Sequence, residues 1–405
     1  MIKSLKTRFS FKNQVNILLI ALILNLPVFS GCDNKTNENP EPKEPVTTTP
    51  KIDFAKYDLK YNDLALFLAG KEVSASSPLF EVTKNAIWQA HAKEIGEKWS
   101  YLEKERLDSL RMWKESEFGT WDDKAKTVFY PFGGPDFLFA YEFFPDANLF
   151  ILQGLEPVYK LPDVLSFNDP NLKSYLEQLQ GSLRVLIKGG YFITKEMMRD
   201  FNTGLLRGVV PVMLMFMAKT DNTVLDVQYI TTDANGEFNM NPDAIKSAND
   251  VTGNIKGVKI LFTDKKQETL KTVYYFSTDT QNESWAKRKS IQNLVLENQP
   301  AIFFTKAASY LLHGDNFGTL RSFILDNCEY VLQTDTGIPY RFFTKGGWDY
   351  TLYGTYTKPV SDFPYAFQND ISTAYKGAGV KYLPFGICYR WEKGSSNMMV
   401  ATKQK

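Results

Sequence analysis

A mixed α+β fold is expected from three features of this 405-residue chain. Helical spacing of apolar residues dominates from 62 to 117. Paired strand-like runs joined by short turns dominate from 209 to 277. Between them, near 127–153, lies a strand–turn–helix–strand unit. Runs of helices and runs of strands, without strict alternation, indicate α+β. The expected architecture is a helical hairpin plus an antiparallel, hairpin-rich sheet, with the short βαβ-like unit as its parallel exception.

Each element has its own signal. Residues 62–69 read as a short helix stopped by Gly70, a residue suited to the left-handed turn after a helix. Ser77-Pro78 reads as a cap followed by proline in the first turn, and Leu79, Val82, Ala86, Ile87 and Ala90 follow at helical spacing. Residues 98–117 present Leu102, Leu107, Leu110 and Trp113 on one side and form the second arm of the hairpin. In the βαβ-like unit, 128–130 is a strand end, 132–136 a tight turn, 137–143 a short helix and 148–153 a buried strand. Helices are expected at 170–188 and 194–203, the latter capped by Thr194. Hairpins are expected from 209–219 with 224–232, and from 258–263 with 270–277. A helix-rich stretch at 284–327 precedes strands near 329–333, 348–356, 383–391 and 397–402, with a helix near 364–376.

The N-terminus has a different character. Lys3, Lys6, Arg8 and Lys12 precede an apolar run over 15–29, and Ser30, Gly31 and Cys32 follow. A charged segment, a short apolar segment and small residues form the pattern of a secretory signal peptide. The cysteine after two small residues resembles the lipobox of bacterial lipoproteins, with Phe29 where leucine is usual. That resemblance covers the leader only. It implies cleavage after residue 31, lipid on Cys32, and anchorage in the bacterial envelope, at the outer membrane. Residues 33–51 are polar, contain four prolines and lack a large aliphatic residue other than Val46. Such a segment cannot bury enough apolar surface to fold and acts as a spacer. The chain thus divides into a leader at 1–31, a lipidated cysteine and spacer at 32–51, and a globular part at 52–405. Its length fits one domain or two packed lobes meeting near 204.

Charge narrows the partners. The net charge is +1, and the leader holds four cations and no acid, so the remainder carries −3. This leaves no basic footprint for nucleic acid. Cys328 and Cys388 remain beside Cys32; two buried free thiols are expected rather than a disulfide. His91 and His313 are the two histidines and stand far apart in sequence. They read as a packed side chain and a helix-end group, which argues against a histidine-based zinc site. No cofactor motif is present: Gly133-Gly134 and Gly189-Gly190 lack the Lys-Ser/Thr tail of a phosphate loop, and G-x-S-x-G is absent.

Candidate site residues concentrate in the 127–162 unit. Tyr130, Gly133 and Gly134 lie where a strand turns into a helix, a geometry whose outward N–H groups can hold an anion or a carbonyl oxygen. Asp136 in that first turn reads as a helix cap or as half of a carboxylate pair, with Glu156 after the next strand as the other half. Asp335-Thr336-Gly337 resembles the aspartic-protease triplet over three residues; with no second copy it reads as a glycine turn. Aromatic side chains make up 14% of the chain and cluster near the C-terminus as Trp348, Tyr353, Tyr356, Phe363, Tyr365 and Phe367. They suit a core, a glycan face or a protein contact. The function expected is a membrane-tethered binding or structural module with a protein or glycan ligand. An envelope hydrolase using the 127–162 carboxylates, or an accessory subunit of an envelope complex, are the alternatives.

Overall fold

The central strands are buried on nearly every residue, and that decides the architecture. In β1 (Thr127–Tyr130), β2 (Leu149–Gly154), β7 (Ala301–Thr305) and β8 (Tyr330–Gln333), alternate side chains enter two different cores. Val128, Phe150, Phe304 and Leu332 face one core; Phe129, Ile151, Phe303 and Val331 face the other. A sheet buried on both faces needs helices on both sides. The computed structural model has this three-layer form; it describes residues 52–118, 121–189, 201, 204–232, 238–239 and 256–404.

The first face is covered by α1 (Lys60–Leu68), α2 (Ala86–Leu102), α3 (Asp108–Glu117), α4 (Phe137–Phe143), α5 (Asp169–Gly189) and α6 (Val210–Lys219). The second is covered by α7 (Asn282–Ala286), α8 (Lys289–Leu296), α9 (Gly318–Asn327) and α10 (Asn369–Ala374). The remaining strands are β3 (Thr223–Thr232), β4 (Phe238–Asn239), β5 (Lys256–Thr263), β6 (Leu270–Ser277), β9 (Trp348–Gly354) and β10 (Asn397–Lys403). The ten strands form one mixed sheet in the order β4-β3-β5-β6-β2-β1-β7-β8-β10-β9. Strands from both sides of residue 204 share it.

The α+β class and the unit joining parallel β1 and β2 through α4 agree with the sequence. So does the β5–β6 hairpin, paired from Lys256↔Ser277 to Thr263↔Leu270. Parallel pairing extends further than the sequence indicated: β6, β2, β1, β7 and β8 all run the same way. The chain moves from β1 through β2 toward β6 on one side, and from β7 to β8 on the other. A topological switch point therefore lies between β1 and β7, and the carboxyl ends of these strands share one edge of the sheet.

Five local expectations are corrected. Residues 209–219 are not a strand. Val210–Ala218 is buried all round as a helix, with Pro211 in its first turn, so no period marked it. The expected hairpin is instead a helix end, where Asp221 adopts φ +59° and Asn222 N–H reaches back to Met217. The two arms of the expected helical hairpin are one helical run. It starts at the Asn85 cap and passes through a π turn at Glu103–Leu107 into α3. Ser77 does cap, but only a single 3₁₀ turn at Pro78–Phe80. β7 interrupts the expected helix-rich stretch, because its five buried residues lack the alternation of a half-exposed strand. Residues 383–391 form turns, with an isolated bridge between Ile387 and Arg390. The expected 194–203 helix, Thr194 and Cys32 with its leader and spacer lie outside the described residues, apart from Phe201.

Candidate functional site

The carboxyl ends of the parallel strands carry the polar residues that their apolar bodies exclude. Asp136 follows β1 and caps α4, its Oδ1 accepting from Phe139 N–H at 3.3 Å. Its other oxygen takes two further partners. Tyr130 Oη donates to Oδ2 at 3.0 Å, and Lys306 Nζ, on the residue after β7, lies 3.0 Å away. Asp136 and Lys306 are each only 1% exposed, so this is a fully buried ion pair. The Lys306 ammonium also sits 4.3 Å over the Phe139 ring. Burial pushes the Asp136 carboxyl above the usual carboxylate range, and Lys306 opposes that shift. Burial likewise drives the Tyr130 phenol well up.

A second buried carboxylate lies past β8. Asp335 Oδ2 accepts from Tyr310 Oη at 2.5 Å and faces Arg390 Nη2 at 3.5 Å. Asn397 and Asp335 exchange two bonds: Nδ2 to Oδ1 at 2.9 Å, and Asp335 N–H to the Asn397 amide oxygen at 2.7 Å. Burial raises this carboxyl too, against Arg390. Three non-glycine residues with left-handed backbone meet here: Ser309 (φ +47°), Tyr310 (φ +57°) and Cys388 (φ +60°). Ser309 Oγ and Tyr389 Oη are 2.7 Å apart. Strain of this kind is held only where surrounding contacts over-determine it. The cavity between Lys306, Asp335, Cys388 and Arg390 is about 10 Å³, space for one water. Burial pushes the Cys388 thiol up to about 12, so it is not a thiolate nucleophile at neutral pH.

The residues singled out in the 127–162 unit are all buried here or at its border, but they do separate jobs. Gly134 at φ +56° lets the chain turn over the Glu156 carboxylate; a Cβ there would lie 3.1 Å from Oε2. Gly154 sits against the same carboxylate and the Gly134 Cα. Glu156 is 1% exposed and receives the Tyr275 hydroxyl on its backbone carbonyl at 2.8 Å and on Oε2 at 3.2 Å. Asp136 thus engages Lys306 and Tyr130, while Glu156 engages Tyr275. The expected anion cradle does not form from the two glycines. Gly134 N–H donates to Gln153 at 2.9 Å and Gly133 N–H to Tyr130 at 3.4 Å. A Cβ on Gly133 would strike the Tyr130 ring.

Lys306, Tyr310, Arg390 and Asn397 were not singled out from the sequence, and Asp335 was read as a turn residue. It is in a turn, but a buried one. Lys306 had a usable signal: a lysine directly after the apolar run Ala301–Thr305, where a strand's carboxyl end must meet polar surroundings. His91 is a packed residue, as read, its Nε2 donating to the Leu68 carbonyl oxygen at 3.0 Å. His313 closes a 3₁₀ turn, Leu311–His313, and its ring packs edge-on against Tyr310. Of the C-terminal aromatics, Trp348, Tyr353 and Tyr356 are buried, whereas Tyr365 and Phe367 are exposed. Among the described residues, no group of three or more His, Cys, Asp or Glu is arranged to hold a metal.

A much larger cleft lies elsewhere, between α1, the segment 160–165 and β3. It encloses about 710 Å³. Tyr61, Leu64, Leu79, Leu161, Val164 and Val227 give it an apolar body, and Lys60, Asp63, Lys160 and Asp163 are its charged residues. Tyr229 Oη, held by Leu161 N–H at 2.8 Å, fixes the 160–165 segment to the sheet. No protein-family model, curated protein or solved structure matches the chain.

Proposed function

We propose that this chain is a lipid-anchored envelope lipoprotein whose globular part is a binding module for a ligand with an apolar body. The observation that carries the ligand reading is the 710 Å³ cleft. Its size falls within the few-hundred to thousand Å³ range of small-molecule sites, and its lining combines apolar side chains with a few charged groups. The carboxylates of the 127–162 unit support a hydrolase less well. Asp136 is committed to Lys306, Tyr130 and the α4 cap, and the cavity beside Lys306 and Asp335 admits only about 10 Å³. The anchor reading rests on the leader, Cys32 and the spacer, and places the module at the outer membrane, held off its bilayer.

Both halves are testable on the full chain expressed in a bacterial host. Labelled palmitate is expected on the wild-type chain and not on Cys32→Ala, which is released from membranes; label-free wild type overturns the anchor. Nile red is the probe for the cleft. The detergent-extracted protein is expected to bind it saturably at one site, and Leu165→Asp, at the exposed rim, to weaken that binding about tenfold. Equal binding by Leu165→Asp and Tyr61→Asp overturns the cleft as the site.

A further inference from the structure

A fully apolar helix ends in a cation that has no counter-ion among the described residues. Val210–Ala218 of α6 is buried throughout, and Lys219 closes it. A lysine at a helix end usually answers the last carbonyls. Here those carbonyls are already taken. Ala218 O accepts from Lys71 Nζ at 2.6 Å, Phe216 O from Thr220 N–H at 2.9 Å and Oγ1 at 2.8 Å, and Met217 O from Asn222 N–H at 2.9 Å. Among the described residues no carboxylate lies within ion-pair distance of Lys219, whose ammonium instead lies 5.8 Å over the Trp99 ring.

Three of the carboxylates around it are held by other cations, and a fourth, Glu115, is exposed. Asp221 serves both Lys71 at 2.7 Å and Lys265 at 3.0 Å. Glu142 is held two-pronged by Arg111, at 2.7 and 2.8 Å. Glu103 lies 3.9 Å from the same guanidinium. Lys219 opens on a cavity of about 420 Å³ bordered also by these four carboxylates, by Arg111 and Lys265, and by Lys114, Tyr141 and Pro145. Burial, then repulsion from Lys71, brings its ammonium down to about 8, with Glu103 opposing.

We propose that this cavity, distinct from the apolar cleft and from the strand-end carboxylates, binds a small molecule through its carboxylate, with Lys219 as the counter-ion. A half-buried ammonium with no carboxylate within ion-pair distance among the described residues is satisfied by one negative charge brought to it. A monoanion neutralises it, whereas a dianionic phosphate would leave an excess charge facing Glu103 and Glu115. Tyr141 and Pro145 offer the ligand's body an apolar wall.

Benzoate is the probe and amine acetylation the readout, followed residue by residue by mass spectrometry on the full chain in detergent at pH 8. Lys219 is expected to be acetylated ahead of the exposed lysines, and saturating benzoate to slow it about tenfold, with sodium chloride of equal ionic strength without effect. Benzoate is also expected to raise the melting temperature of the wild type and not that of Lys219→Met, a variant that breaks no ion pair. No protection at Lys219, protection equal to that of sodium chloride, or an undiminished melting shift in Lys219→Met overturns the site. Stronger protection by inorganic phosphate than by benzoate overturns the carboxylate assignment.

Discussion

At the scale of single residues, the strand-end cluster is a balance of burial and pairing. A buried ion pair contributes little net stability, but removing one partner leaves an uncompensated charge. Lys306→Met strands the Asp136 carboxyl against Tyr130 and should destabilise by about 3–5 kcal/mol, read as a lower urea midpoint with an unchanged slope. Adding Asp136→Asn should recover part of that loss, since the charge disappears; a double variant as unstable as the single one would contradict this account. His313 gives a pH signature. Burial, with Arg341 next, brings its imidazole from 6.5 down to about 4. Folding therefore favours the neutral ring. Its stabilising contribution is complete above about pH 6.5 and is lost as the pH falls toward 4. Unfolding midpoints measured across that window should slope less in His313→Gln than in wild type.

At the scale of elements, burial on two sides explains both what was legible and what was not. The β5–β6 hairpin was read correctly because a polar turn separates two strand-like runs of matching length. α2 and α3 were recognised as helical by their 3.6-residue spacing, though the π turn that makes them one run left no pattern to read. α6 and β7 failed for a shared reason. Each is apolar on every side, and periodicity cannot separate a fully buried helix from a fully buried strand. β7 is nonetheless the hinge of the topology, lying between β1 and β8 and ending at Lys306. Phe303, fully buried at its centre, should cost about 3–5 kcal/mol on truncation to alanine in equilibrium unfolding. A change below about 1 kcal/mol would argue against this packing.

At the scale of the whole molecule, the sheet acts as a partition. Cys328 lies in the core on one face and Cys388 in the core on the other, so the two thiols are free and cannot meet. The intact chain should have the same mass with and without reductant, with no gain of two hydrogens, and neither thiol should react with a maleimide until the protein unfolds. Fast labelling of both in native buffer would contradict their burial. The helical layer on the first face holds both the apolar cleft beside α1 and β3 and the charged cavity at the end of α6, whereas the small polar cavity lies at the strand ends.

The sequence alone determined the α+β class, the β1–α4–β2 unit, the hairpin at 258–277 and the places of Tyr130, Gly134, Asp136 and Glu156 beside strand ends. These depend on local signals: turn residues, caps and changes of period within a dozen positions. It also carries the whole case for the leader and Cys32. Tertiary structure decided the parallel centre of the sheet and the partners of each carboxylate. Asp136 meets Lys306 across 170 positions of chain, and Asp335 meets Asn397 across 62. Such contacts arise from the order in which strands lie side by side, and no spacing within one segment records that order.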